Sequence, residues 1–328
     1  MKKLMNNPAH IIDEMIDGLT KSNAHLVERI ENTTIVIRKN LPAKVGLISG
    51  GGSGHEPAHA GFVGQGMLTA AVCGQVFTSP SPDQILTAIH AADKGHGVFM
   101  VVKNYSGDIM NFEMAKDLAE MDGIEIDYCI VADDIAVENS TYTQGRRGVA
   151  GTVLVHKILG AAIDQGATLA EVKSLSDTIL PNIKTIGVAF SGATVPEVGK
   201  PGFVLPDDEI EYGVGIHGEP GYRREKLQSS ADLAKELVNK LNDEFNFKSG
   251  DNYALLINGL GSTTLMEQYV FANDIFKLLT DAGIKICFSQ VGNYMTAIDM
   301  AGASLTLMKL DDAKWTEYLN YRVNTVAW

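Results

Sequence analysis

Apolar residues along the chain come in short runs, separated by stretches whose apolar positions recur at helical spacing. The first helical stretch opens at Asn7-Pro8, a cap and first-turn pair, and carries Ile11, Ile12, Met15, Ile16 and Leu19 along one stripe. Short apolar runs at residues 34–38, 45–49, 66–73, 98–103 and 124–131 predict strands, and 81–93 and 111–121 predict helices between them. One long helical stretch from Val149 to about Leu180, followed by Pro181, closes this series. A second series begins at Lys184, with strands predicted at 185–190, 210–216, 253–257, 284–288 and 304–310 and helices at 231–245 and 264–282. Residues 192–208 carry Pro196, Pro201 and Pro206 and predict a loop, because strand patterns flank them closely. The alternation predicts an α/β protein of two domains, 1–182 and 183–328, each built on a parallel or mixed sheet flanked by helices. No solenoid or propeller period and no low-complexity tract interrupts it.

Composition narrows the function without naming it. A chain of 328 residues with 45% hydrophobic content is long enough for two ordinary cores. Its formal charge of -13, with Lys and Arg scattered, argues against a nucleic-acid surface. The start, Met-Lys-Lys-Leu-Met-Asn-Asn-Pro, has no apolar core region or small-residue cleavage site, and no stretch is long enough to span a bilayer, so a cytoplasmic protein is expected. Cys73, Cys129 and Cys287 lie apart in apolar surroundings without CxxC spacing and read as buried thiols. His55 and His59 stand at i, i+4 around Glu56, a spacing that would ligate zinc on a helix. Pro57 falls inside the pair and no third ligand is evident, so no metal is expected.

Three segments combine a predicted strand end with residues able to do chemistry, the place where parallel α/β sheets collect ligands. Gly50-Gly-Gly-Ser-Gly-His55-Glu-Pro57 follows the strand at 45–49, Asn104-Tyr-Ser-Gly-Asp108 follows 98–103, and His217-Gly-Glu-Pro follows 210–216. The glycine cluster lacks the Gly-Lys-Ser/Thr of a P-loop. In a dinucleotide register the third glycine is replaced by His55 or Pro57, and no acid follows about twenty residues on, so no nucleotide is assigned to it. A tight strand-to-helix turn opened by Pro57 accounts for the glycines but not for the histidine. Asp108 fits a helix-capping turn or, beside Lys103, a general base for a substrate hydroxyl. Thr143-Gln-Gly-Arg146-Arg147-Gly148 is either a solvated turn or a neutraliser of phosphate. Asp133-Asp134 and Asp311-Asp312 read as surface acids. His55 and His217 suggest two walls of one pocket. A neutral imidazole is a nucleophile that captures a ketone as a tetrahedral adduct and so separates carbonyl compounds from polyols of the same shape.

Taken together, Gly50 to Pro57, Phe77-Thr-Ser-Pro-Ser-Pro-Asp-Gln84, Lys103 to Asp108, Tyr142 to Ala150 and Gly213-Val-Gly-Ile-His-Gly-Glu-Pro-Gly221 resemble the dihydroxyacetone kinase family. The resemblance spans nearly the whole chain. With no ATP-binding helical domain after the matching part, it is to the dihydroxyacetone-binding K subunits of the phosphoenolpyruvate-dependent, phosphotransferase-system type. It implies that His217 forms a hemiaminal with the ketone carbon of dihydroxyacetone, that Gly52, His55, Lys103 and Asp108 position the hydroxyls, and that Asp108 is the general base with His55 assisting. It further implies that this chain binds no cofactor itself. ADP or ATP with magnesium would sit on a separate L subunit, recharged by an M phosphocarrier subunit, and the chain would form a homodimer. Some members of the family instead keep the ligand site and act as transcriptional coactivators, an alternative that His217 does not exclude.

Overall fold

The computed structural model describes residues 2–138 and 143–328. The N-terminal helix α1 (Ile11–Ser22) buries Ile12 and Ile16, as its stripe predicts. A first sheet is built from β1 (Val27–Arg29), β2 (Ile35–Arg38) and β3 (Gly46–Ser53). The short β4 (Gly64–Gln65) then precedes the remaining strands of that sheet, β5 (Ala70–Val76), β6 (Val98–Lys103) and β7 (Ile126–Val131). Its spatial order is β1-β2-β5-β3-β6-β7, with β5, β3, β6 and β7 mutually parallel and β1 and β2 antiparallel at one edge. The helices α2 (Pro82–Ala92) and α3 (Ser106–Met121) make the parallel crossovers and bury Ile85, Ile89, Phe112 and Ala115 against it.

Residues 149–180 form not one helix but two, α4 (Gly151–Asp164) and α5 (Leu169–Ile179). The break is physical. Gly166 takes a left-handed φ of 98°, and Thr168 and Glu171 close a capping box that starts α5 afresh. Residues 151–163 of α4 are all buried, and the helix packs on α5, α8 (Ala313–Asn320), β6 and β8 (Ile183–Ala189). A helix covered on every side has no polar face, which is why its apolar pattern ran on unbroken.

The second sheet follows with β9 (Glu209–Tyr212), β10 (Arg223–Lys226), β11 (Asn252–Gly259), β12 (Lys285–Gly292) and β13 (Gly302–Lys309), in the order β10-β9-β8-β13-β11-β12. Only β11 and β12 pair in parallel; every other neighbour is antiparallel. Helices α6 (Ser230–Phe245) and α7 (Leu265–Asp281) pack together over one face. The chain ends by returning: β14 (Asn324–Thr325) pairs with β4, and Trp328 stacks on Phe288. One apolar cluster accordingly runs from Ile12 and Phe62 through α4 to Leu256, Met308 and Trp315, joining the faces of both sheets. Both sheets are mixed and flanked by helices, the α/β class that the hydrophobic pattern predicts.

Two strand boundaries bear on the site. β3 does not stop at Ser49 but continues through the glycines to Ser53, paired with β5 throughout. A Cβ on Gly52 would lie 2.5 Å from the Thr78 nitrogen, so only glycine lets the two strand ends approach this closely. No α-helix follows Pro57; the chain makes a turn and a single 3₁₀ turn at Ala60–Phe62. In the other half β9 ends at Tyr212, and Gly213, with a left-handed φ of 76°, turns the chain out of the sheet. His217 therefore lies on a loop beyond an antiparallel strand, not at the end of a parallel one. Among the described residues no helix is long and apolar enough to cross a membrane.

Candidate active site

The loops after β3, β5 and β6 meet the loop after β9 around a cavity of about 450 Å³, lined by Gly52, Phe77, Ser79, Lys103, Tyr105, Asp108 and His217 among others. All five residues singled out from the sequence, Gly52, His55, Lys103, Asp108 and His217, converge here, although 162 positions separate the two histidines.

His217 is held at both nitrogens. Its Nδ1 lies 2.9 Å from Glu219 Oε1, and its backbone N–H donates to Glu219 Oε2. A carboxylate only accepts, so Nδ1 carries a proton and Nε2 is the nitrogen turned to the cavity side. Nε2 lies 3.0 Å from His55 Nε2, and His55 Nδ1 donates to the Thr296 carbonyl at 2.7 Å. With both Nδ1 atoms protonated, the two Nε2 atoms are the positions left open, and a proton taken up at either one would bridge them. Burial, together with the charges of His217 and Lys103, pushes the His55 imidazole well below its ordinary range, so His55 holds a proton at Nε2 only weakly and gives it up readily. Burial opposes ionisation of Glu219, yet the hydrogen bond from His217 and the charge of Arg147 keep its carboxyl below the usual glutamate range.

Aromatic rings fix the His217 imidazole in place. Tyr105 and Phe77 meet it edge-on, with centroids 4.8 Å and 5.1 Å away, and Phe77 also stacks on His55 at 5.1 Å. Phe77 itself has a left-handed φ of 54°, as has Ile298 at 57°, so this wall is built from strained backbone that its surroundings maintain.

Across the cavity Asp108 occupies the third position of α3, where the helix dipole favours a carboxylate. It caps nothing; the residue before the helix is Tyr105, whose side chain makes no cap hydrogen bond. Ser79 Oγ donates to Asp108 Oδ1, and the buried Lys103 ammonium stands 3.6 Å from Oδ2. A Cβ on Gly51 would meet Lys103 Nζ at 2.6 Å, so the glycine strand also makes room for this cation. Asn104 is not a cap either: its amide donates to the carbonyls of Gln144 and Arg146 and pins that loop beside the site.

Several expectations need correction. Arg147 is neither a solvated turn residue nor open to phosphate: it is fully buried, bridging Asp134 and the Gly213 carbonyl. Arg146 forms a two-pronged pair with Glu244 at 2.7 and 2.8 Å. Asp133 and Asp134 are buried rather than superficial. Asp133 accepts from the Val149 and Gly151 nitrogens at the start of α4 and from Thr185, while Asp134 pairs with Arg147. Asp312 caps α8 through the Lys314 nitrogen. Cys73 and Cys129 are buried, but Cys287 is exposed. His59 turns away from His55 to meet His156 at 3.0 Å, and no metal-holding cluster exists among the described residues. Tyr142, part of the fourth motif, lies outside the described residues.

Comparison with known proteins shows the family. The Dak1 domain family matches residues 17–327, and the chain belongs to that family. It is 62% identical over 328 residues to the dihydroxyacetone-binding subunit DhaK of the PTS-dependent dihydroxyacetone kinase of Lactococcus lactis subsp. lactis (strain IL1403), covering 100% of this chain and 99% of that one. Among solved structures, the dihydroxyacetone kinase operon co-activator Dha-DhaQ superposes with a TM-score of 0.92 at 45% identity, covering 96% of this chain and 97% of that one. The dihydroxyacetone kinase of C. freundii in complex with AMP-PNP and Mg2+ superposes with a TM-score of 0.91 at 36% identity; the match covers all of this chain and 60% of that one.

Proposed function

We propose that this chain is the dihydroxyacetone-binding subunit of a phosphoenolpyruvate-dependent dihydroxyacetone kinase, capturing the ketone on His217 and presenting a hydroxyl for phosphorylation. The observation that carries the reading is the contact between Glu219 and His217 Nδ1, which leaves Nε2, beside His55, as the nitrogen open to a ketone in a cavity that Asp108 and Lys103 also line. When the ketone enters, His55 Nε2 carries a proton taken up from solvent, and the His217 Nε2 lone pair bonds to the carbonyl carbon. The carbonyl π pair moves to oxygen, which takes the proton from His55 Nε2. His55 returns to neutral, and the alkylated imidazolium remains paired with Glu219, so atoms and charge balance.

The hydroxyl to be phosphorylated lies towards Asp108. The Ser79 hydroxyl and the Lys103 ammonium orient that carboxylate, which accepts the hydroxyl proton as oxygen attacks phosphorus. Phosphoryl transfer asks mainly for alignment and charge compensation, and a cavity that fixes the acceptor oxygen meets the first demand. The phosphoryl donor is a nucleotide with magnesium on a separate L subunit, recharged by the M phosphocarrier, and the chain works as a homodimer. The dihydroxyacetone kinase of C. freundii, 60% of which this chain matches, forms a complex with AMP-PNP and Mg2+, which supports a nucleotide as the donor.

A coactivator role is the competing reading, supported by the 45% identity to Dha-DhaQ. The Ser79–Asp108–Lys103 group, with Asp108 and Lys103 buried, favours the kinase, since holding a ketone for sensing requires no base aimed at its hydroxyl. The Arg146–Arg147 turn adds nothing to that preference, both side chains being engaged within the chain. Reconstitution decides: the purified chain with L, M and the phosphoenolpyruvate components should convert dihydroxyacetone to its phosphate. Ketone binding without turnover would favour the coactivator.

A further inference from the structure

Arg147 is one of the largest fully buried side chains, and the reaction just described gives it nothing to do. Its Nε and one terminal nitrogen bind Asp134 at 2.8 and 2.7 Å, and that same terminal nitrogen donates to the Gly213 carbonyl at 2.7 Å. Gly213 is the residue that turns the chain out of β9 towards His217. The other terminal nitrogen, Nη1, is buried with no hydrogen-bond partner among the described residues. It points into the gap left by Gly215, where an added Cβ would sit 2.7 Å from it and would collide with Glu219 Oε2. The guanidinium thus faces the Glu219 carboxylate across a glycine, without touching it.

We propose that Arg147 is a positioning residue for His217, anchored by Asp134, holding the stem of the loop at Gly213 and keeping Glu219 charged and aimed at Nδ1. The proposal rests on the reading that His217 Nε2 takes the ketone, and it adds the group that keeps this nitrogen free. The physical reason is the dielectric. Glu219 is buried, and a buried carboxylate retains its charge only where cations or donors face it. His217 supplies donors through its backbone N–H and Nδ1, but it would supply a cation only while protonated at both nitrogens, the state in which it is not a nucleophile. A permanent charge on Arg147 removes that dependence, because a guanidinium does not deprotonate in proteins. Asp134 completes the set: it is rigidly placed after β7, accepts the Ala136 nitrogen at 3.0 Å, and fixes the plane of the guanidinium.

The test uses the full-length chain with ¹⁵N-labelled histidine and dihydroxyacetone ¹³C-labelled at the carbonyl. Variants are Arg147→Met, which keeps bulk and removes charge, and Arg147→Lys, which keeps charge but cannot bridge Asp134 and Gly213 together. In the wild-type protein without ligand, ¹⁵N spectra should show His217 protonated at Nδ1. In Arg147→Met the two His217 nitrogens should move towards a tautomeric mixture, and adduct affinity should fall by about tenfold or more. Arg147→Lys should restore part of both. A folded Arg147→Met protein with the wild-type ¹⁵N pattern and adduct affinity would overturn the proposal. If that variant does not fold, Arg147→Lys is read by the same criterion, and failure of both to fold would overturn it in favour of a general folding role. The ligand-free ¹⁵N measurement is independent of dihydroxyacetone. Absence of an adduct in the wild type would therefore fail the functional reading while leaving the positioning role to be judged by the tautomer.

Discussion

At the scale of single residues, His217 and Asp108 sit on opposite sides of one cavity and should fail differently. Replacing His217 by Ala should abolish the adduct and loosen selection against glycerol, checked by carbonyl ¹³C resonances and competition binding. Replacing Asp108 by Asn should leave the adduct intact and lower turnover by about 10²–10⁴-fold, the range for losing a general base. Unaltered turnover would remove Asp108 from that role. A third prediction concerns the buried pair His59 and His156, held neutral in the fold. Burial and the charge of Lys103 push His156 down to about 3, against 6.5 for the free side chain. The unfolded chain therefore binds a proton that the fold refuses, so this contribution to stability is complete above about pH 6.5 and is lost as pH falls towards 3. The slope is at most about 1.4 kcal/mol per pH unit for one group. Urea unfolding at several pH values should show this slope reduced in His156→Gln; an identical slope would contradict the neutral, buried assignment.

Residue identity was legible in the sequence where chemistry and backbone rules coincide. His55, Asp108 and His217 stood out because each breaks a glycine-rich or helix-start pattern that structure alone explains poorly. Glu219 was in plain sight two residues beyond His217 but carried no separate signal, since only the fold shows that the loop curls back on itself. Thr296, which fixes the tautomer of His55, and Ser79, which orients Asp108, could not be found from spacing: each acts through proximity that the chain order hides. Asp134 reads in sequence as a surface acid, and Arg147 as part of a solvated turn or a neutraliser of phosphate, because sequence does not reveal that two opposite charges will be buried together.

At the scale of elements, the apolar periodicity located the major helices and strands, and the errors have physical causes. β3 runs past its expected end because three consecutive glycines, a loop signal in sequence, here permit close pairing with β5. Gly52→Ala should therefore displace the turn at Phe77–Ser79 and weaken ketone binding by about tenfold or more, with the fold retained; unaltered binding would show that this approach is not tight. The 149–180 stretch was split by a capping box whose signature, Thr168 with Glu171 three residues on, is local enough to have been read directly. Thr168→Ala should cost about 1 kcal/mol of stability and leave ketone binding unchanged, as a helix cap far from the cavity would. β10 and α8 escaped notice because one is short and highly charged and the other carries few apolar positions.

At the scale of the whole molecule, the candidate site exists because two sheets are packed through one core. His55 is carried by the first sheet and His217 by a loop of the second, so their 3.0 Å contact reports how those two parts are set against each other. The Asp133–Thr185 hydrogen bond, the Asp134–Arg147–Gly213 bridge and the return of β14 to β4 all cross the same boundary. This explains why neither half of the sequence, taken alone, predicted a site. It also separates capture from transfer: the chain by itself should bind dihydroxyacetone, while nucleotide binding and turnover should require the L subunit.

The most direct measurement is a crystal of the chain soaked with dihydroxyacetone and refined without restraints between ligand and protein. A tetrahedral ligand carbon bonded to Nε2 of His217, with Nδ1 still on Glu219, is the expected result. A planar ketone separated from the ring by van der Waals distance would contradict the account.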